Sequence, residues 1–408
     1  MLNPLNPLHR RAALRLTTLI GAALVLAACG GGGSSAPPAG ASASSFTAGP
    51  ITGFGSVIVN GVRFDDSSAS VSDDDGNSRS RDDLRLGMMA EIEAGAIASD
   101  DSGSRSTARA IRFGSEVVGP VSSVAADGTS LVVLGQTVQV TATTMFDDRM
   151  VGGLAGLVPG TSVVEVHGVL DVNTGIFRAT RIEPKFNASL YKLRGVVSGI
   201  DKTARTFRLG NGSETISYAA IAASVPASLD NGQLVRVRLQ TTQVAGQWIA
   251  TRLDGGARRM DDHDEAEIKG TITTASTFAV DKMFSVNGIA VDATNATYPK
   301  GTAGIVLGAM VEVKGRAVNG IIIATRVAPE DQDDRDRAEF ELHGTISAHD
   351  PMGMSFALRG ITVRYGGAAV EFRKGSAANL ANGRNVEVKG LRAADGMTLA
   401  ATRISFED

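Results

Sequence analysis

Glu267-Ile268-Lys269-Gly270-Thr271-Ile272-Thr273-Thr274 opens a segment that continues through Phe284-Ser285-Val286-Asn287-Gly288-Ile289-Ala290-Val291, then Met310 to Gly315, then Ile321 to Val327. Apolar and polar residues alternate in these runs, the pattern of strands with one buried face. Asn287-Gly288 is the pair that best fits a two-residue hairpin turn, whose central residues need positive φ. The stretch ahead of the next strand is of mixed polarity and admits a short helix, as at Ser376 to Leu380. Strand, hairpin, short helix, strand, strand is the order of an OB-type five-stranded barrel, and a glycine early in the first strand suits its sharp bend. A small open sandwich of the same strands is the alternative.

Working outward, the same landmarks recur along the chain. Gly-x-[Ile/Val]-[Ser/Thr] begins at Gly49, Gly119, Gly195, Gly270 and Gly344, at intervals of 70, 76, 75 and 74 residues. A glycine leading into alternating apolar positions stands at Gly87, Gly160, Gly232, Gly308 and Gly383, at intervals of 73, 72, 76 and 75. Ala-Thr-Arg followed by an aliphatic residue closes four units at Arg181, Arg252, Arg326 and Arg403, with a degraded version near Arg109 and Ile111. Three landmarks in constant order predict five repeat units, at 49–113, 118–183, 194–254, 267–328 and 342–406. The expected fold is all-β, a tandem array of five small OB-like barrels.

A unit of about 65 residues buries only some 60% of its extended surface, so neighbouring units are expected to stack or share strand edges. The second and third should be close; the charged links Arg258 to Glu265 and Glu330 to Arg337 predict looser joints before the fourth and fifth. The arrangement resembles a bacterial repeat family of unknown function (domain of unknown function five-six-six-six), found in tandem in Gram-negative envelope lipoproteins. The resemblance implies an architecture and a location and no chemistry.

Composition narrows the function classes. The 40 Lys and Arg against 43 Asp and Glu leave no broad basic surface for nucleic acid. Glycine is abundant, at 48 of 408 residues, and there is one tryptophan, Trp248, so the chain is rich in turns and thin in large core anchors. The single cysteine, Cys29, precludes an intramolecular disulfide and any Cys-built zinc site.

The N-terminus reads as an address. His9, Arg10, Arg11 and Arg15 precede the apolar stretch Leu16 to Ala28, a signal-peptide layout whose 13 apolar residues fall short of the roughly 20 that span a bilayer. Leu26-Ala27-Ala28-Cys29 resembles the lipobox of bacterial lipoproteins. The resemblance implies cleavage after residue 28, acylation of Cys29 and, with Gly30 in place of Asp, sorting to the outer membrane. Residues 29–48, rich in Gly, Ser, Ala and Pro, are expected to be a flexible tether. The mature chain would carry 37 basic and 43 acidic side chains, a formal charge of −6.

No constellation points to catalysis. His167 and His343 stand singly near strand positions, His263 and His349 lie in polar surroundings, and neither His-Glu-x-x-His nor Gly-x-Ser-x-Gly occurs. The acidic runs Asp73-Asp74-Asp75-Gly76-Asn77, Asp261-Asp262-His263-Asp264-Glu265 and Asp331, Asp333, Asp334, Asp336 do not match a calcium loop and read as solvated linkers. Asp171 to Gly175 reads as a turn. The Ala-Thr-Arg arginines are expected on outer strand faces, paired with glutamates such as Glu312 or Glu387, and Trp248 is expected partly buried. No metal, cofactor or catalytic residue is assigned. The reading is a noncatalytic, lipid-anchored envelope binding or scaffold protein, its partners the membrane through the lipid and an envelope protein or glycan. A glycan-binding adhesin and an enzyme with a site between units are the alternatives.

Overall fold

Asn287 and Gly288 take φ of 50° and 84°, and Asn60 and Gly61 take 51° and 80°, the paired left-handed conformations that a tight hairpin requires. These turns belong to a computed structural model that describes residues 43–101, 103–256, 260–331, 339–367 and 369–407. The leader, Cys29, most of the tether and the link residues Arg258, Arg259, Asp333, Asp334 and Asp336 lie outside the described residues.

Around Asn287 the strands close a circuit. His263–Thr274 pairs antiparallel with Met283–Val286, and this with Ile289–Asp292. Ile289–Asp292 runs parallel to Ile321–Pro329, which pairs antiparallel with Met310–Val318, and that strand returns to His263–Thr274. The result is a closed five-stranded barrel, which excludes the open sandwich. The same circuit closes from Ser44–Phe54 to Gly103–Gly114, from Val117–Val124 to Ile176–Pro184, and from Tyr191–Asp201 to Trp248–Gly255. It closes again from Phe340–Thr345 to Leu399–Phe406, where the first strand breaks at Ile346 and resumes as Ser347–Asp350. In chain order these are the first to fifth rings. Helix is confined to short turns such as Ala377–Asn379. Among the described residues no helix is long and apolar enough to cross a membrane.

Both glycine landmarks have a physical cause. The second, at Gly87, Gly160, Gly232, Gly308 and Gly383, holds φ between +79° and +88°. Each N–H donates to the first strand of its own ring, to Ile51, Val121, Val197, Ile272 and Ile346 O respectively, at 2.8–2.9 Å. An L side chain is strained there, so glycine recurs. The first landmark serves close approach more than bending. A Cβ at Gly49, Gly119 or Gly270 would overlap the side chain of Asn60, Leu134 or Asn287, and at Gly195 it would stand 2.9 Å from Leu209 Cβ. The second-third hairpin thus leans its side chain across a bare patch of the first strand. In the fourth ring the Asn287 carboxamide also accepts from the Thr271 N–H at 3.1 Å.

The rings offset their small size by pooling cores. The second and third share one apolar cluster and the first and fifth share another. The fourth closes its own over Phe46 and Ala48 of the first. Strand pairing follows the same scheme. Val117 and Val118 pair with Leu193 and Lys192, Ser45–Ala48 runs parallel to Glu265–Ile268, and Gly53 and Phe54 run parallel to Glu341 and Leu342.

Four expectations are therefore corrected. Joints are not restricted to neighbours in sequence, because the first strand of the first ring is the common edge of the first, fourth and fifth rings. The fourth and fifth rings accordingly are not loosely joined. Ser44–Ala48 is strand and not tether: it is paired on both sides, with Phe46 and Ala48 buried. His263, Asp264 and Glu265 belong to the first strand of the fourth ring and not to a link.

Candidate functional site

The densest polar cluster lies in the second ring, on the paired strands Val163–Asp171 and Ile176–Pro184. His167 is 1% exposed. Its Nδ1 faces Gly114 O at 2.9 Å and its Nε2 faces Glu183 Oε1 at 3.1 Å. Arg181 donates through one terminal nitrogen to Asp147 Oδ2 at 2.6 Å and through Nε to Glu183 Oε1 at 3.4 Å. Arg149 Nε donates to Asp147 Oδ1 at 2.6 Å. Burial pushes Glu183 up, but the His167 hydrogen bond and the Arg181 charge outweigh it and hold the carboxyl at about 2. Asp147, also raised by burial, is brought to about 2 by the Arg149 hydrogen bond and the Arg181 charge. Carboxylates this acidic remain ionised at neutral pH and are poor proton donors. Their visible work is to join rings: Arg181 also donates to Leu86 O, and Thr180 Oγ1 donates to Gly87 O at 2.6 Å.

A second cluster overturns the linker reading of Asp73 to Asn77. Asp73 Oδ1 accepts from the Asp75 and Asn77 N–H groups at 3.0 and 2.9 Å, and Oδ2 accepts from Arg79 Nε at 2.9 Å. Asp74, its side chain 3% exposed, lies 2.6 Å from Lys192 Nζ and 3.1 Å from the Arg236 guanidinium. Asp75 pairs with Arg238. The run is a clamp holding the insertion of the first ring onto the third. Arg79 apart, its cations Lys192, Arg236 and Arg238 lie more than a hundred residues downstream, so nothing local distinguished this clamp from a solvated acidic run.

The third cluster joins the first and fifth rings. His343 Nε2 lies 2.7 Å from Glu341 Oε1 and 3.0 Å from the Arg63 guanidinium, and Nδ1 lies 2.8 Å from Glu407 Oε1. Glu341, His343 and Glu387 present ligand atoms within 4.8 Å of one another, close enough to hold a metal ion. The pairings argue for a joint instead: Arg63 and Lys389 already neutralise Glu341, at 2.5 and 3.1 Å, and a divalent ion at Nε2 would sit against the Arg63 cation. The single histidine gave no sequence signal, since its three carboxylates come from three strands or their ends.

This joint sets a pH dependence. Burial lowers His343, but hydrogen bonds to Glu341 and Glu407 prevail and raise it above 6.5. Its contribution is complete below 6.5 and is lost as pH rises through the folded value. Burial raises Glu341, but hydrogen bonds from His343 and Lys389 bring it from 4.5 to about 2. That contribution is complete above 4.5 and is lost as pH falls towards 2. The joint should be strongest between these limits. Melting of the native chain is expected to decline above neutrality more steeply than that of His343→Gln; parallel profiles would assign the titration elsewhere.

The remaining expected positions divide. Asp171 Oδ1 accepts from the Asn173 and Thr174 N–H groups, as a turn should. Trp248 is 8% exposed and donates through Nε1 to Glu214 Oε2 at 2.9 Å. The Ala-Thr-Arg arginines do not share one environment. Arg326 meets Glu312 at 3.1 Å, but Arg252 pairs with Asp254, Arg403 with Glu371, and Arg181 is buried. The register places His167, Arg238, Lys314 and Lys389 directly opposite them, so each arginine finds its acid elsewhere. In the second acidic run Asp262 Oδ1 accepts the Asn319 N–H at 2.6 Å and Asp264 Oδ2 the Ser44 N–H at 2.8 Å. These two are backbone acceptors and not free linker charges. Asp331 lies 2.9 Å from Lys300.

No curated protein matches the chain. A family model described as a domain of unknown function, DUF5666, matches residues 118–183, 269–328 and 343–405, which are the second, fourth and fifth rings. Compared with these three rings, the first adds the strand pair Ser70–Asp73 and Ser78–Arg79, and the third has a third strand of only two residues, Ile216–Ser217. Over these three matches, each with a closed barrel beneath it, the chain carries repeated copies of the DUF5666 domain of unknown function.

Proposed function

We propose that this is a noncatalytic, lipid-anchored scaffold or binding protein of the Gram-negative envelope, held at the outer membrane through Cys29. The observation that carries the reading is Leu26-Ala27-Ala28-Cys29, at the end of an apolar stretch with a basic head and containing the only cysteine. Three acyl chains, at about 0.8 kcal/mol per buried CH₂, would make such anchoring effectively permanent. The body supports the scaffold half of the proposal. Strand pairing and shared cores join its rings, and its buried charges are spent on joints between them.

The test is fractionation. Cys29→Ala should move the protein from the detergent-extracted membrane fraction to the soluble one. Retention in the membrane with the leader uncut would instead identify a signal anchor and end the lipoprotein reading.

A further inference from the structure

A cleft of about 1210 Å³ opens where the first, second, third and fifth rings meet. This is larger than the roughly 300–1,000 Å³ of ordinary small-molecule pockets and suits an extended ligand. Its lining is mixed in chemistry. Among the lining residues Leu84, Leu86, Met145, Phe54, Phe113 and Ile361 belong to, or pack against, the core shared by the first and fifth rings. Phe54, Phe113 and Ile361 are only partly buried, so the rim of that core is left uncovered at the cleft. Many of its charges are matched internally, Asp147 by Arg149 and Arg181, and Glu165 by Lys185 at 2.5 Å.

Three lining cations, Arg81, Arg85 and Arg359, stand outside that matching among the described residues, and Arg81 is turned to the Asp66 carbonyl. Arg85 donates to the backbone carbonyls of Asp82 and Leu84, the latter at 2.8 Å. Arg359 donates through Nε to His343 O at 2.7 Å. Among the described residues neither Arg85 nor Arg359 has a carboxylate partner, and each keeps several of its five N–H donors for a planar anion. Arg85 lies in sequence between Leu84 and Leu86, and Arg359 two residues before Ile361, so both flank apolar lining residues.

We propose that the cleft binds an anionic amphiphile, its hydrocarbon chain along Phe54, Phe113 and Ile361 and its carboxylate or phosphate on Arg85 and Arg359. Asp82 and Asp148, exposed on the same rim, oppose an isolated anion. The chain must therefore supply most of the affinity, at about fourfold for each CH₂ buried.

The experiment is calorimetric titration of the full chain in detergent-free buffer with decanoate, dodecanoate, dodecanol and inorganic phosphate. Dodecanoate should saturate one site and bind about fifteenfold more tightly than decanoate. Arg85→Ala with Arg359→Ala should weaken dodecanoate by at least about tenfold, the loss of charge-assisted hydrogen bonds, and leave dodecanol unchanged. An unaltered circular dichroism spectrum would show that the variant is folded. Transfer of fluorescent phosphatidylglycerol from vesicles into the protein would assign a bilayer lipid as the source; dodecanoate binding without transfer would assign a free amphiphile. Absence of saturable dodecanoate binding, phosphate binding as tight as dodecanoate, or equal weakening of dodecanol would each overturn the proposal.

Discussion

Asp74→Ala is expected to destabilise the body by about 3–5 kcal/mol, the cost of leaving buried charges without their partner. Two cations depend on this carboxylate: the side chains of Lys192 and Arg236 are 10% and 11% exposed, and Asp74 itself only 3%. With so little water to replace the lost carboxylate, both must either rearrange or remain uncompensated. Asp75→Ala is the internal control. Its partnership with Arg238 sits at a carboxylate 37% exposed, and pairs of that kind contribute about 0–1 kcal/mol. Urea unfolding of the two variants should separate them widely in midpoint. Equal small shifts would mean that the insertion of the first ring does not clamp the third, and would return Asp73–Asp75 to the status of a solvated acidic run.

The second large effect is expected at Gly87. All five landmark glycines hold positive φ, and an alanine in that region costs about 1–2 kcal/mol. At Gly160, Gly232 and Gly383 nothing lies within 4 Å of an added Cβ, so backbone strain is the whole penalty. At Gly87 the Cβ would also overlap Thr180 O, a backbone atom of the second ring that cannot rotate away. Overpacking of this kind adds about 1–3 kcal/mol. Gly87→Ala should therefore lower the unfolding midpoint clearly more than Gly160→Ala, and should loosen the contact between the first and second rings in hydrogen exchange at Thr180. Indistinguishable midpoints would show that these two rings are not held at van der Waals distance there.

These two predictions mark the boundary between what was legible and what was not. The Gly270 and Gly308 landmarks, the Asn287-Gly288 turn and the alternating strands all act within one ring. Each constraint is met by residues fewer than about 80 positions apart, so it repeats in sequence whenever the ring repeats. The order of strands within a ring was readable for that reason, and the pairing of Ile289–Asp292 with Ile321–Pro329 decided for a closed barrel over an open sandwich. The candidate sites were not readable. Asp74 meets Lys192, and Arg63 meets Glu341, across 118 and about 280 residues, and each acid resembles any exposed acid until its partner arrives.

The sequence by itself determined an all-β chain of repeated small units and carries the expectation that Cys29 is acylated. The tertiary structure decided which barrels touch. Ser44–Phe54 holds the fourth and fifth rings by parallel strand pairing, an interaction made by backbone N–H and C=O groups that every residue but proline carries. Such pairing leaves almost no side-chain signature, so Ser44-Ser45-Phe46-Thr47-Ala48 looked like the end of a tether. Only its pairing between the first and fourth barrels makes it a structural strand, the one that ties the fourth and fifth rings to the first.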